Sequence, residues 1–125
     1  MKVVFVDTVH SILSQRLEER NFTCLHLEAS PLEECKKALE EAEGLVIRSR
    51  FPVNEAFLHN CKQLKFIARS GAGLENFDLD ACQKMGITVY NSPEGNRNAV
   101  GEHCLGMLLN IMNKMHMGHR EVTQS

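Results

Sequence analysis

Nothing in this sequence concentrates positive charge. Its 14 Lys and Arg are outnumbered by 16 Asp and Glu, a formal net charge of −2. With no basic cluster or arginine-rich stretch, nucleic acid is excluded as the main partner. Long apolar runs are also lacking. The opening Met1-Lys-Val-Val-Phe-Val-Asp7 is too short for a signal peptide or a membrane span, so a cytoplasmic chain with no membrane partner is expected. Five cysteines (Cys24, Cys35, Cys61, Cys82 and Cys104) are odd in number and never spaced C-x-x-C. They read as reduced thiols, three on apolar helix positions, not as disulfides or a metal site. The six histidines are scattered; His116 and His119 share a helix face near the chain end but lack a carboxylate or cysteine to complete a metal site. Internal repeats, low-complexity segments and linkers are all missing.

What is there suits one soluble domain. At 125 residues, 43% apolar and 24% charged, the chain can bury roughly two-thirds of its unfolded surface. Strand and helix patterns alternate. Val3 to Val6 is a continuous apolar strand, and Asp7 or Thr8 can cap a helix whose buried side is Val9, Ile12, Leu13 and Leu17. Phe22 to Leu27 is a second strand. Ser30-Pro-Leu-Glu33 is a capping box opening a helix with Leu32, Cys35, Leu39 and Ala42 inward. Leu45 to Ile47 is the third strand. Asn54 caps a short helix stapled by Val53 and Leu58, and Phe66 to Ala68 is the fourth strand. Asp78 caps a helix that Gly86 closes, and Ile87 to Tyr90 is the fifth strand.

Five βα units with short connections predict an α/β fold: a three-layer, doubly wound parallel five-stranded sheet, flavodoxin-like, in the order 2-1-3-4-5. From about Asn98 to Met117, apolar residues from Val100 to Met117 cover most of a long C-terminal helix. Such a helix should be buried on more than one side, against its own domain, a missing domain or a partner. The expected division is therefore 1–97 for the α/β domain and 98–125 for the helix.

Ligands of open α/β sheets bind beyond the carboxyl ends of the strands. That edge gathers Asp7, Thr8 and His10, then Arg48, Ser49 and Arg50, then Arg69, Ser70, Gly71, Ala72 and Gly73, then Asn91 and Ser92. Gly71 and Gly73 can release successive N–H groups into one concavity, and Arg69 beside them supplies full charge, so a carboxylate or phosphate site is predicted. Gly71-Ala-Gly73-Leu-Glu-Asn76 falls short of the dinucleotide fingerprint: Asn76 replaces its third glycine, and the loop follows the fourth strand, not the first. A phospho-receiver site fails as well, since Arg48-Ser49 and Asn91 stand where its acidic and lysine residues belong. A flavin mononucleotide site would want more hydroxyls than Thr8 and Ser11 after the first strand. No catalytic acid–base set emerges, and His103 reads as a packed helix residue.

Val46-Ile-Arg-Ser49, Leu64 through Asn76, Gly86-Ile-Thr-Val-Tyr-Asn-Ser-Pro93, Gly95-Asn96 and Val100-Gly-Glu-His103 together resemble the amino-terminal part of the D-isomer-specific 2-hydroxyacid dehydrogenases, nearest their phosphoglycerate-oxidising branch. The resemblance implies an NAD-dependent two-domain oxidoreductase of serine biosynthesis with its active site in the cleft between domains. It further implies a substrate carboxylate held on the amides of Ser70 to Gly73, with Arg48, Ser49 and Arg69 facing the substrate and Asn96 near the reacting centre. Ala72 and Val100 would approach the nicotinamide. The long helix becomes the crossing into a nucleotide-binding domain, with a homodimer through 98–117 as a further expectation. The family's dinucleotide fingerprint, substrate-orienting arginine and glutamate–histidine relay find no counterpart here. The chain alone is therefore expected to be inactive and to bind neither NAD tightly nor any metal. The alternative is a stand-alone anion-binding or dimerisation module. Ser70, Glu75 and Gly101 depart conservatively from the alanine, aspartate and alanine that relatives often carry.

Overall fold

The computed structural model describes residues 1–124. Five strands, β1 (Lys2–Phe5), β2 (Thr23–His26), β3 (Gly44–Ile47), β4 (Phe66–Arg69) and β5 (Thr88–Tyr90), form one sheet in the order β2-β1-β3-β4-β5, every neighbour parallel. The α/β class and the strand order are as expected. Because successive residues of a strand face opposite sides, the sheet separates two apolar layers. Val4, Val6, Leu45, Ile47 and Ile67 lie on one side with Cys35 and Leu39 of α2 (Leu32–Leu39), Phe57 and Leu58 of α3 (Glu55–Leu58), and Ala81 and Cys82 of α4 (Leu79–Lys84). Val3, Phe5 and Val46 lie on the other, against Leu13 and Leu17 of α1 (Ile12–Glu18). The central strands are buried on both faces, which is why β1 and β3 read as unbroken apolar runs.

Several local expectations hold. Asn54 accepts from Phe57 N at 2.9 Å and Asp78 from Ala81 N at 2.9 Å, each satisfying an orphan donor at a helix start. Val53 and Leu58 are both fully buried in the same cluster. Gly86 takes φ +71° just past α4.

Others are corrected. Neither Asp7 nor Thr8 caps α1; the cap position is Ser11, with no side-chain cap bond, because Asp7 is engaged elsewhere. Ile12 is 45% exposed and Ser14 is the buried residue of that helix. The capping box at Ser30 does not close. Pro31 holds the cap position with no side-chain bond, and the Ser30 carbonyl is drawn to the Arg50 guanidinium.

The chain divides into two compact units, Met1–Ser92 and a second beginning at Pro93. In the second, α5 runs Glu94–Met112, starting four residues before the expected Asn98, and α6 runs Met115–Thr123. One continuous apolar helix is not what forms. Lys114 adopts the left-handed conformation (φ 52°), which cannot continue a right-handed helix. Asn113 Nδ2 binds Leu109 O at 3.0 Å, and Asn110 Oδ1 accepts from His116 N at 3.0 Å, sealing the break. Polar Asn96, Arg97, Asn98, Glu102, His103 and Asn110 interleave with the apolar residues, and no residue of α5 or α6 is buried. No described helix is long and apolar enough to cross a membrane.

Candidate functional site

In a parallel sheet all carboxyl ends share one edge, and the register aligns Phe5 with Val46, Ile47 with Arg69 and Ala68 with Tyr90. The connections leaving Phe5, Ile47, Arg69 and Tyr90 are therefore neighbours.

The loop after β4 is tied at both ends. Ser70 N donates to Ile47 O at 2.9 Å and Gly71 N to Arg69 O at 2.9 Å. Farther on, Val53 N donates to Asn76 O and Asp78 N to Val53 O, at 2.9 and 2.8 Å. Its middle is clamped from the β5 side: Ser92 N reaches Gly71 O at 2.9 Å and Asn91 Nδ2 reaches Ala72 O at 2.6 Å. In a trans peptide the N–H points opposite to the carbonyl it follows, and no peptide here is cis. With the carbonyls of Gly71 and Ala72 held toward β5, the amides of Ala72 and Gly73 both face away from it. Neither of these amides has a hydrogen-bond partner among the described residues. Two consecutive free amides on one side form a small nest for negative charge.

This narrows the expected seat. Of the four amides from Ser70 to Gly73, the first two are spent on the protein's own carbonyls. The two glycines differ as well. Gly71 has φ +153°, and a Cβ there would lie 1.5 Å from Arg69 Nη1. Gly73 has no such φ, and its Cβ would meet only the mobile end of Glu75, 2.3 Å from both carboxylate oxygens. Only Gly71 is demanded by the backbone.

The Arg69 guanidinium lies over Gly71, with Nη1 donating to Ser70 O at 3.1 Å, while Nε is buried without a partner. No carboxylate pairs with Arg48 or Arg69 among the described residues. Two uncompensated positive charges at the carboxyl edge favour an anion there.

Arg50, the third arginine of the expected rim, is structural. Its Nη1 donates to Val6 O at 2.8 Å and Leu27 O at 2.9 Å, its Nη2 binds Ser30 O, and it stacks over the Phe51 ring at 4.8 Å. It fastens the ends of β1 and β2 to the start of α2. Asp7 Oδ2 takes the backbone N–H groups of Arg48, Ser49 and Arg50 at 2.7, 3.0 and 3.2 Å. That role escapes sequence reasoning, because an aspartate ending a strand is equally a helix cap. Nearby, partial burial pushes the Glu28 carboxyl up, but the His26 hydrogen bond at 2.8 Å, its own backbone bond and Arg50 outweigh it and leave the group below the ordinary range. His10 is occupied locally, its Nδ1 accepting from Ile12 N at 3.2 Å.

Of the expected site residues, Arg48, Ser49, Arg69, Ser70, Gly71, Ala72 and Gly73 gather on this edge. Asn96 and Val100 lie on α5 in the second unit, four residues apart and so on one side of that helix. The glycine loop does not fit a dinucleotide pyrophosphate. No helix follows it until Leu79, and Asp78 already fills that helix start with a carboxylate. No cluster of three metal-ligating side chains occurs among the described residues, and all five cysteines are free.

The family described as "D-isomer specific 2-hydroxyacid dehydrogenase, catalytic domain" matches residues 3–123. A D-3-phosphoglycerate dehydrogenase from Sus scrofa is 31% identical over 108 residues, 86% of this chain and 20% of that protein. The chain thus spans about a fifth of that relative's length. Among solved structures, a protein from Pyrococcus horikoshii superposes with a TM-score of 0.87 at 24% identity, covering 98% of this chain and 37% of that one. An NAD+-bound 3-phosphoglycerate dehydrogenase from Entamoeba histolytica superposes with a TM-score of 0.66 at 27% identity, covering 88% and 38%.

Proposed function

The chain belongs to the D-isomer specific 2-hydroxyacid dehydrogenase family and carries its substrate-binding domain; from that premise we propose that it is the substrate half of an NAD-dependent phosphoglycerate dehydrogenase. One observation carries the reading: the consecutive free amides of Ala72 and Gly73 stand beside the unpaired guanidinium of Arg69. Charge-assisted hydrogen bonds to two amides suit the carboxylate of a 2-hydroxy acid and fix the carbon next to it. Arg48 and Arg69 take the remaining charge, with Ser49 and Ser70 on the rim and Ala72 toward the nicotinamide; for Asn96 and Val100 on α5 the proposal keeps the roles that the family resemblance implies. The D-3-phosphoglycerate dehydrogenases among the relatives favour a substrate with a second, phosphate anion.

The division into 1–97 for substrate binding and 98–125 for the crossing toward a nucleotide-binding domain belongs to the same proposal. The isolated chain does not turn over, because its glycine loop offers the dinucleotide phosphates no seat and no acid–base pair stands among the described residues of the edge, where the one histidine, His10, uses Nδ1 to accept from Ile12 N. Titration calorimetry with D-3-phosphoglycerate and D-lactate tests the substrate assignment. Tighter binding of phosphoglycerate by about tenfold, the worth of one added charged hydrogen bond, is expected; equal affinities overturn it. NADH formation by the purified chain overturns the inactivity.

A second reading has its own observation. Leu105, Leu108, Leu109, Ile111 and Met112 are 60, 52, 53, 67 and 70% exposed, a surface that pairing two copies through 98–117 would cover. Sedimentation at increasing concentration decides it, and a strict monomer removes it.

A further inference from the structure

Asp7 follows Val6, the last buried residue of the apolar run that carries β1. Its single oxygen Oδ2 collects the N–H groups of Arg48, Ser49 and Arg50 at 2.7, 3.0 and 3.2 Å. Three convergent amides on one carboxylate oxygen are the bonding pattern of an anion in a nest. Here the anion is the chain's own, so the amides of Arg48, Ser49 and Arg50 are not left for a ligand. What the loop after β3 offers is a side chain. The turn separates its two arginines: Arg50 is drawn inward onto the carbonyls of Val6, Leu27 and Ser30, while Arg48 is exposed and without a carboxylate partner among the described residues. Ile47 is level with Arg69 across the ladder, and Ser70 N binds Ile47 O. The chain at Arg48 therefore runs beside Ser70, two residues before the Ala72–Gly73 nest.

We propose that Asp7 is the positioning residue for Arg48. Its carboxylate locks the turn after β3, so that Arg48 meets the second anionic group of a ligand whose carboxylate sits on Ala72 and Gly73. Asp7 thereby sets the preference for dianionic over monoanionic hydroxy acids without touching either. The inference rests on the substrate reading above and adds the residue that makes one half of it selective. Were Asp7 uncharged, the three amides would lose their strongest acceptor and the turn its fixed orientation.

The test is titration calorimetry on the 125-residue chain with D-3-phosphoglycerate and with glycolate, a 2-hydroxy acid lacking the phosphate. Asp7→Asn should weaken phosphoglycerate about tenfold and leave glycolate within about twofold, since only a charged contact at the phosphate end is lost. Arg48→Gln should produce the same loss, and the double variant no further loss, because both substitutions remove one interaction. Equal losses for both ligands, no loss, or additive losses overturn the positioning role and leave the substrate reading intact. If the unmodified chain binds neither ligand, the substrate reading falls and this inference with it. Should Asp7→Asn fail to fold by circular dichroism, Asp7→Ser keeps an acceptor oxygen and is read against the same criteria.

Discussion

The backbone at position 71 resists any side chain. Its φ of +153° is one that side chains rarely adopt, and a Cβ there would also have to displace the Arg69 guanidinium. Gly71→Ala should destabilise the chain by about 1–3 kcal/mol, read by urea denaturation, while Gly73→Ala displaces only the end of Glu75 and should cost far less. A loss for Gly73→Ala as large as for Gly71→Ala would contradict the conformation assigned to this loop. At this scale the sequence was half legible. Two glycines beside an arginine announce an anion seat, but not that two of its four amides are already spent, nor that Arg50 faces inward. Those facts depend on where the carbonyls of Val6, Leu27, Ser30 and Ile47 end up, and carbonyl positions leave no mark on residue identity.

Elements were read more reliably than their ends. Apolar runs bounded by polar residues located all five strands within a residue or two, and the caps at Asn54 and Asp78 fell where side-chain oxygens could reach N–H groups three residues on. The break between α5 and α6 was not foreseen, since Lys114 is an ordinary helix former whose left-handed conformation comes from its Asn113 and Asn110 surroundings. Cysteine chemistry divides along the same elements. Cys61, just after α3, is 2% exposed, donates its thiol to Phe57 O at 3.6 Å, and is pushed up to about 11 by burial, with Glu40 adding to it. Cys104 on α5 is exposed. Since the thiolate is the nucleophile, brief iodoacetamide treatment of the native chain at neutral pH should modify Cys104 and spare Cys61, as peptide mass mapping would read; early labelling of Cys61 would contradict its burial.

For the whole molecule, one carboxylate links three strands at the end opposite the site. Glu43, just before β3, is 2.6 Å from Lys65 Nζ before β4 and 3.8 Å from the amino terminus before β1. The Lys65 hydrogen bond chiefly, offset in part by desolvation and then aided by the charge of Lys65, the Lys2 backbone bond and the terminal charge, holds Glu43 below its ordinary value of 4.5. A depressed folded value means stability that is fully present above pH 4.5 and is lost as pH falls through the lowered value. Glu43→Gln should therefore lower Tm at neutral pH and flatten the acid limb of the Tm profile. Unchanged curvature below pH 4.5 would contradict the linkage.

The free amides of Ala72 and Gly73 at the opposite edge should receive negative charge. Amide chemical shifts of the isotopically labelled chain, titrated with D-3-phosphoglycerate, address this directly. Ala72 and Gly73 should move downfield and saturate together, Ser70 and Gly71 should move little because their N–H groups are already bonded, and Arg69→Gln should abolish the response. Ligand-induced shifts confined to other residues, or a response at Ala72 and Gly73 that survives Arg69→Gln unchanged, would contradict it.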